Sequence, residues 1–270
     1  MPPVERRVEV GEGLPSIGLH RLTGPEELDV WLVEDLISRD ELTALLRRAK
    51  ARDGFQPSMQ VQAGGRLVQD QRRTSSSCPM LWPMLYRDRL DDFPSSVAAD
   101  LNEELSVVTP IMERCAKVIG ADLDCLEPLQ LVRYAPGQFY RPHFDGHGAG
   151  RGFSHAGEQR LSTMLVFLTD VPTDDGGGFT HFPKLGLQVL PRAGSALLWS
   201  NVRKGTTELD PDSFHEGQPP KSCEKVAMNV WAADRPFSMD SIMAWQERLQ
   251  IQQQQESSST GSTVVTSRGL

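Results

Sequence analysis

The stretch RYAPGQFYRPHFDGHG, residues 133 to 148, sets an imidazole and a carboxylate two positions apart, His143 and Asp145. On a strand, positions i and i+2 point to the same face. A His-x-Asp in that conformation aims a nitrogen and an oxygen donor at one point, as a metal ion requires. The pattern alone arises often by chance, so its weight depends on a third donor. The chain has six histidines: His20, His143, His147, His155, His181 and His215. His215, in the short late segment SFHEG, is the best candidate for the third ligand. His147 is near enough to be an alternative, although the GHGAGRG run around it reads as a loop. His155 and His181 read as surface or loop residues.

Two histidines and one carboxylate form a facial triad that suits non-haem iron(II) and leaves coordination positions open for other molecules. Zinc enzymes use the same donors but usually keep a single open position. Lys225, ten residues after His215, adds a second feature. A cosubstrate that chelates iron through a 2-oxoacid end carries its far carboxylate into the interior. Burying that charge unpaired costs several kcal/mol, so a cation is needed there.

These residues need a scaffold. From residue 127 onward, short apolar runs alternate with Gly, Pro and Asp: EPLQLVRY, QFYRPHFD, RLSTMLVFL, GFTHFP, LQVLP, GSALLWSN, SFHEG and KVAMNVWAA. Eight such segments predict a double-stranded β-helix (jelly roll) over 127–234. Residues 1–27, rich in Gly, Pro and charge, are expected to form an irregular arm. Residues 28–126 are expected to be a helical support. There Ser38 and Glu41 make a capping box, Leu42, Leu45, Leu46 and Ala49 form a stripe, and Gly54 is the stop. A second helical region, 94–119, shows Val97, Leu101, Leu105, Val108, Met112, Cys115 and Ile119 at helical spacing. Pro110 is expected to break it in two, with Thr109 as cap. Helices first and strands later predict an α+β fold with the N-terminal helices packed on one face of the sheet. A helix over 235–250, capped by Ser238, and a disordered Gln/Ser-rich tail over 251–270 complete the plan.

Composition narrows the classes. Hydrophobic content of 39% and charged content of 24% over 270 residues are those of an ordinary globular chain. No apolar run is long enough to span a membrane, and the first residues lack the apolar stretch of a secretory signal. The expectation is a cytoplasmic protein, with organelle targeting left open. A net charge of −8 repels phosphate backbones, so nucleic acid is a disfavoured partner. The basic run RRAKAR (47–52) reads as a solvated helix face. Cys78, Cys115, Cys125 and Cys223 form no CxxC pair and are expected to be free thiols; a Cys115–Cys125 bridge would need an oxidising compartment.

Several ordered motifs resemble one family. LVRYAPGQFYRPHFD is similar to a Tyr-x-x-Gly-x-x-Tyr-x-x-His-x-Asp segment. RLSTMLVFLTDVPTDDGGGFTHFP is similar to an Arg-x-x-Thr strand followed by a Gly-Gly-x-Thr-x-Phe-Pro loop. LPRAGSALLWSN resembles a Pro-x-x-Gly-x-Ala-x-x-Phe/Trp strand. HEGQPPKSCEKVAMNVW resembles a distal His, a ten-residue step to Lys, then Asn-x-Trp. Upstream, RRTSSS resembles an Arg-Thr-Ser loop. Together these resemble the 2-oxoglutarate- and iron(II)-dependent dioxygenases, in the prolyl 4-hydroxylase branch, over about 29–234.

The resemblance implies that His143, Asp145 and His215 hold Fe(2+), with O2 as co-reactant and ascorbate as reductant. It implies that Lys225 pairs with the C5 carboxylate of 2-oxoglutarate, with Thr180 and Tyr134 beside the cosubstrate. Tyr140, Arg160 and Trp231 are implied to line the substrate region, and Arg73 to sit on a loop that closes over it. The implied activity is 4-hydroxylation of prolyl residues in a peptide or protein, with release of succinate and CO2. Lys225 directs the resemblance to collagen-type and plant- or alga-like enzymes, because other branches generally carry Arg in that role. Gly146-His147-Gly148 after Asp145 and Phe179 in the glycine loop depart from the pattern. They leave open a free amino acid or small metabolite as substrate. The further alternative is a non-catalytic metal-binding scaffold.

Overall fold

The computed structural model describes residues 2–51, 54–61, 67–68, 71–146 and 158–240. Its strands, in chain order, are β1 (Arg6–Val8), β2 (Ile17–Arg21), β3 (Val30–Val33), β4 (Gln56–Pro57), β5 (Gln60–Val61), β6 (Leu67–Val68), β7 (Ser76–Pro79), β8 (Gln130–Tyr134), β9 (Tyr140–His143), β10 (Arg160–Phe167), β11 (Thr180–Phe182), β12 (Leu187–Val189), β13 (Ala196–Ser200), β14 (His215–Gly217) and β15 (Lys225–Ala233). The helices are α1 (Arg39–Ala51), α2 (Pro83–Tyr86) and α3 (Ser95–Ile119). Each of the eight segments read as strand from residue 127 onward contains one of β8 to β15.

The strands form a nine-stranded sheet in the order β1-β2-β3-β13-β10-β15-β8-β7-β4, a four-stranded sheet in the order β12-β11-β14-β9, and the β5-β6 pair. Strand β15, KVAMNVWAA, is buried along nearly its whole length. Such a run fits only a central strand covered on both faces, and β15 lies between β10 and β8. Alternation then divides its side chains between two layers. One face of the large sheet, with Met164, Val166, Leu198, Met228 and Val230, shares a core with Leu45 and Ala49 of α1 and Val108, Ile111 and Met112 of α3. The other face, with Phe167, Leu197, Trp199 and Ala227, packs against Phe182 of the small sheet. Helices, large sheet and small sheet thus form three layers. The site lies between the two sheets.

The N-terminal region departs from expectation. Residues 1–27 are not an irregular arm: β1 and β2 pair with each other, and β2 pairs with β3, which in turn pairs with β13. Residues 28–126 are not purely helical, since β7 pairs with β8 and β4 with β7. The region therefore continues the large sheet beyond both β13 and β8, where unpaired backbone would otherwise stand at the edge. These strands have two to five residues, too short for a clear alternation signal.

The capping box is present: Ser38 N–H donates to Glu41 Oε2 at 2.8 Å and Glu41 N–H to Ser38 Oγ at 3.2 Å. Arg114 of α3 grips the same Glu41 through two hydrogen bonds of 2.9 and 2.8 Å, locking α3 onto the start of α1. Pro110 does not break α3. Proline removes one backbone donor and crowds the preceding turn, but Val108, Ile111 and Met112 around it are at most 1% exposed, and their burial holds the helix continuous. Val97, expected on the apolar stripe, faces solvent at 44% exposure.

In the basic run, Arg48 is buried rather than solvated and pairs with Asp100, Glu103 and Glu104. Among the described residues none of the four cysteines forms a disulfide. Residues 239–240 begin a helix; the rest of the helix expected over 235–250, and the tail over 251–270, lie outside the described residues. Among the described residues no helix is long and apolar enough to cross a membrane.

Since Pro110 sits on the exposed side of α3, Pro110→Ala should restore helix geometry without disturbing the core. The expected gain is about 1–2 kcal/mol, after allowing for the greater freedom of the unfolded chain. Denaturant unfolding would measure it; an unchanged midpoint would show that α3 carries no proline penalty.

Candidate active site

Strands β9 and β14 are antiparallel neighbours, and their register sets His143 directly opposite His215. The ring centroids are 4.4 Å apart. Asp145 follows just beyond the end of β9, with Oδ1 3.5 Å from His143 Nε2 and Oδ2 3.7 Å from His215 Nε2. One ligand atom from each of the three residues lies within 4.8 Å of the others.

The protonation state of this cluster follows from its contacts. Nδ1 of His143 lies 2.8 Å from the Arg141 carbonyl, and Nδ1 of His215 lies 2.8 Å from the Ser213 carbonyl. A carbonyl only accepts, so each Nδ1 carries the proton and each Nε2 turns a lone pair toward the cluster. Burial, reinforced by His143, pushes His215 down to about 4 against the opposing pull of Asp145. Burial works to raise the Asp145 carboxyl, but His215, His143 and Arg160 outweigh it and hold the group below the usual carboxylate range. At neutral pH the cluster therefore presents a neutral His215 and an ionised Asp145, the forms that bind a cation.

A second polar feature lies along the same interior. Lys225 is 1% exposed, and its ammonium faces the Tyr134 ring at 5.4 Å. Among the described residues it makes no hydrogen bond or ion pair, and burial alone pushes it down to about 7. Thr180 is 1% exposed, and among the described residues its hydroxyl has no partner. Gly217 pairs with Thr180 across β14 and β11, and a Cβ at Gly217 would stand 3.2 Å from the Tyr134 hydroxyl. Tyr134 thus fills the space a side chain at 217 would take. A buried ammonium and a buried hydroxyl without acceptors are costly by themselves. They match the needs of a carboxylate entering between them.

The remaining predicted residues form the walls. Tyr140 stacks on His143 at 3.5 Å. Arg73 lies 4.9 Å over Tyr140, but not on an open loop. It is 7% exposed, forms an isolated bridge with Tyr140, and donates to Ser75 Oγ and Gln130 Oε1. These bonds hold its side chain against Tyr140. Arg160 lies 3.7 Å from the Trp231 ring and donates twice to Glu127, at 2.6 and 2.7 Å. The Trp231 indole donates to Asp145 Oδ2 at 3.1 Å. His181 points away from the cluster and pairs with Glu216 at 2.8 Å. His147 and His155 lie outside the described residues.

Three residues near the site were absent from the sequence-based selection. Glu127 neutralises Arg160, Thr163 donates to Asp145, and Asn201 donates to Thr163. Thr163 was legible as the last position of the Arg-x-x-Thr strand. Glu127 and Asn201 had no comparable signal.

Residues 129–233 match the family model described as 2OG-Fe(II) oxygenase superfamily. Over that segment the chain is similar to the 2OG-Fe(II) oxygenases. Prolyl 4-hydroxylase 5 of Arabidopsis thaliana is 33% identical over 150 residues, covering 48% of this chain and 48% of its own length. Human prolyl 4-hydroxylase subunit alpha-1 is 33% identical over 135 residues, covering 49% of this chain and 24% of its own. The chain spans about half the length of the curated relatives it matches, or less. A viral collagen prolyl hydroxylase from Paramecium Bursaria Chlorella virus-1, solved with 2OG, aligns with a TM-score of 0.55 and 23% identity over 76% of this chain and 95% of that one. The chain shares that protein's fold.

Lys225 imposes a pH dependence on the ligand-free protein. Its folded value of about 7 lies below its ordinary 10.5, so between these the unfolded chain holds a proton that the folded chain lacks. Stability should rise as pH increases from about 7 toward 10.5, with the full penalty present below 7. Denaturant midpoints measured across this range should show that slope, and Lys225→Met should remove it. Parallel curves for the two proteins would sink the assignment.

Proposed function

We propose that this chain is a 2-oxoglutarate- and Fe(II)-dependent dioxygenase that hydroxylates prolyl residues, at the 4-position, in a peptide or protein. One observation carries the reading. Among the described residues, a cation-ready donor set and an ammonium and a hydroxyl without partners share one interior. A scaffold that merely stores metal needs only the first. The curated relatives that match over about half of this chain supply the choice of proline.

In this reading 127–234 is a jelly roll acting as the catalytic unit, and 1–126 completes its large sheet and backs it with helices. His143, Asp145 and His215 hold the iron, while Lys225 and Thr180 receive the distal carboxylate of 2-oxoglutarate with Tyr134 beside it. When bound, the iron and cosubstrate supply the oxidation, in which O2 is consumed, succinate and CO2 leave, and a C–H bond becomes C–OH. The chain's own work is binding, orientation and exclusion of water. The two backbone carbonyls keep the imidazole lone pairs aimed inward. Burial strips water from Lys225, so its charge acts at low dielectric. Tyr140, Arg160, Trp231 and Arg73 form the wall against which the peptide lies. Glu127 cancels the charge of Arg160 and leaves a flat cation-aromatic surface for a neutral residue. Ascorbate serves as reductant.

Incubation of the full chain with Fe(II), 2-oxoglutarate, ascorbate and a panel of proline-rich peptides should add one oxygen to a prolyl residue, read by mass spectrometry. Oxygen added to free proline, with none on peptide, would redirect the assignment to a small metabolite. His215→Ala should abolish succinate release. A rate equal to wild type would remove His215 from the ligand set. Lys225→Ala should raise the 2-oxoglutarate concentration for half-saturation on the order of 100-fold, the cost of leaving a buried carboxylate without its partner.

A further inference from the structure

The Asp145 carboxylate is tied from behind by a chain of side chains that ends far from any solvent. The Trp199 indole N–H lies 3.1 Å from Asn201 Oδ1, Asn201 Nδ2 lies 2.9 Å from Thr163 Oγ1, and Thr163 Oγ1 lies 2.9 Å from Asp145 Oδ2. Trp199 is 1% exposed, Asn201 and Thr163 are 0%, and Asp145 is 7%. The direction of every bond is forced. An indole nitrogen only donates, so the amide oxygen of Asn201 must face Trp199. The amide NH2 then faces Thr163 and donates to its hydroxyl. That leaves the hydroxyl proton to go to Asp145, which in its ionised form only accepts.

The backbone holds this chain in place. Thr163 pairs with Trp199 on one side, in β13, and with Trp231 on the other, in β15. All three therefore lie in one row across the large sheet. Thr163 and Trp231 both donate to Asp145 Oδ2. At Gly146 a Cβ would come within 3.0 Å of Asn201 Cβ and 3.1 Å of Leu209 Cδ1. Glycine thus lets the backbone at 146 press directly onto Asn201. Trp199 also packs edge-on against His215, with ring centroids 4.7 Å apart.

We propose that Thr163 is a positioning residue of the metal site, with Asn201 and Trp199 fixing its donor direction. It occupies Asp145 Oδ2 together with Trp231, so that Oδ1 alone is offered to the ion. The proposal rests on the reading of His143, Asp145 and His215 as iron ligands. A carboxylate held in this way binds through one oxygen. Released, it can turn and bind through both, consuming a coordination position that the cosubstrate or oxygen needs. The same row links both sides of the ligand set, because Trp199 orders His215 by contact and Asp145 through hydrogen bonds.

The test uses the full chain and Co(II) as probe. Wild type should bind Co(II) and show a monodentate Asp145 carboxylate in the infrared difference spectrum. Thr163→Val, which keeps the shape and loses the donor, should weaken Co(II) binding about tenfold or more, within the range found for partners that orient metal ligands. Its carboxylate bands should shift toward the bidentate pattern. Thr163→Ser should restore both affinity and spectrum. Asn201→Leu, which leaves the hydroxyl but removes its donor, should give a smaller loss of the same sign. A bidentate signature in wild type would overturn the proposal without any variant. So would a folded Thr163→Val that binds Co(II) as wild type does, or a Thr163→Ser no better than Val. If wild type binds no Co(II) and His215→Ala behaves identically, the iron-site reading itself fails, a result distinct from loss of the relay.

Discussion

The interior between the two sheets holds a carboxylate and an ammonium that do not meet. Asp145 and Lys225 are 7% and 1% exposed, and Asp145 is not among the influences on the lysine. Opposite charges buried together would gain most by pairing, and paired they would leave no site. Strand β15 keeps them apart. Lys225 begins it, and Trp231, which contacts Asp145, lies six residues further along the same face. With β10 and β8 on either side of it, β15 cannot bend to bring the ends together. The architecture converts a pairing that would stabilise the empty protein into two separate demands, one for a cation and one for an anion.

Each demand is met by local devices that raise the cost of the empty state. Each imidazole donates its Nδ1–H to a backbone carbonyl and keeps only Nε2 available. Asp145 is ionised in spite of burial, with Thr163 and Trp231 on one oxygen. Arg160 stands nearby and helps keep Asp145 ionised, while its own hydrogen bonds go to Glu127. Among the described residues, the polar contacts of Lys225 reduce to the face of the Tyr134 ring. Free energy withheld in this way is recovered when ligands arrive, which is the usual logic of preorganised sites.

Much of this was legible in the sequence, and the boundary of legibility is physical. Strands β8 to β15 announced themselves through apolar runs of up to nine residues separated by turn formers. The capping box at Ser38 and Glu41 is a local contact between neighbours, so local reading sufficed. His143 and Asp145 were visible because the strand period is two, and His215 and Lys225 because each lies in its own short apolar segment. What escaped is which distant side chains meet, not always the residues themselves. Thr163 reaches Asp145 across a separation of 18 residues, Asn201 reaches Thr163 across 38, and Trp231 reaches Asp145 across 86. No periodicity encodes such pairs. Strands β1 and β2 escaped for the same reason: three to five residues become a strand only when an edge is waiting for them. Pro110 misled because helix breaking is a local penalty, and here burial of Val108, Ile111 and Met112 outweighs it.

Strand β14 shows how little chain the site needs once register is set. It has three residues. His215 points inward opposite His143, Glu216 points outward to His181, and Gly217 points inward again, where the absence of a side chain admits the Tyr134 hydroxyl. A slip of one residue would turn every side chain to the other face. Glu216 would then bring a second carboxylate beside Asp145, and the imidazole would be lost to solvent. Three residues cannot resist such a slip through their own hydrogen bonds. The resistance comes from their neighbours: Phe182 and Trp199 pack on the His215 ring, and the space at Gly217 is already filled by Tyr134. The register of the shortest inner strand is thus held by aromatic side chains from three other strands, and the metal-ready geometry is a consequence of how those side chains pack.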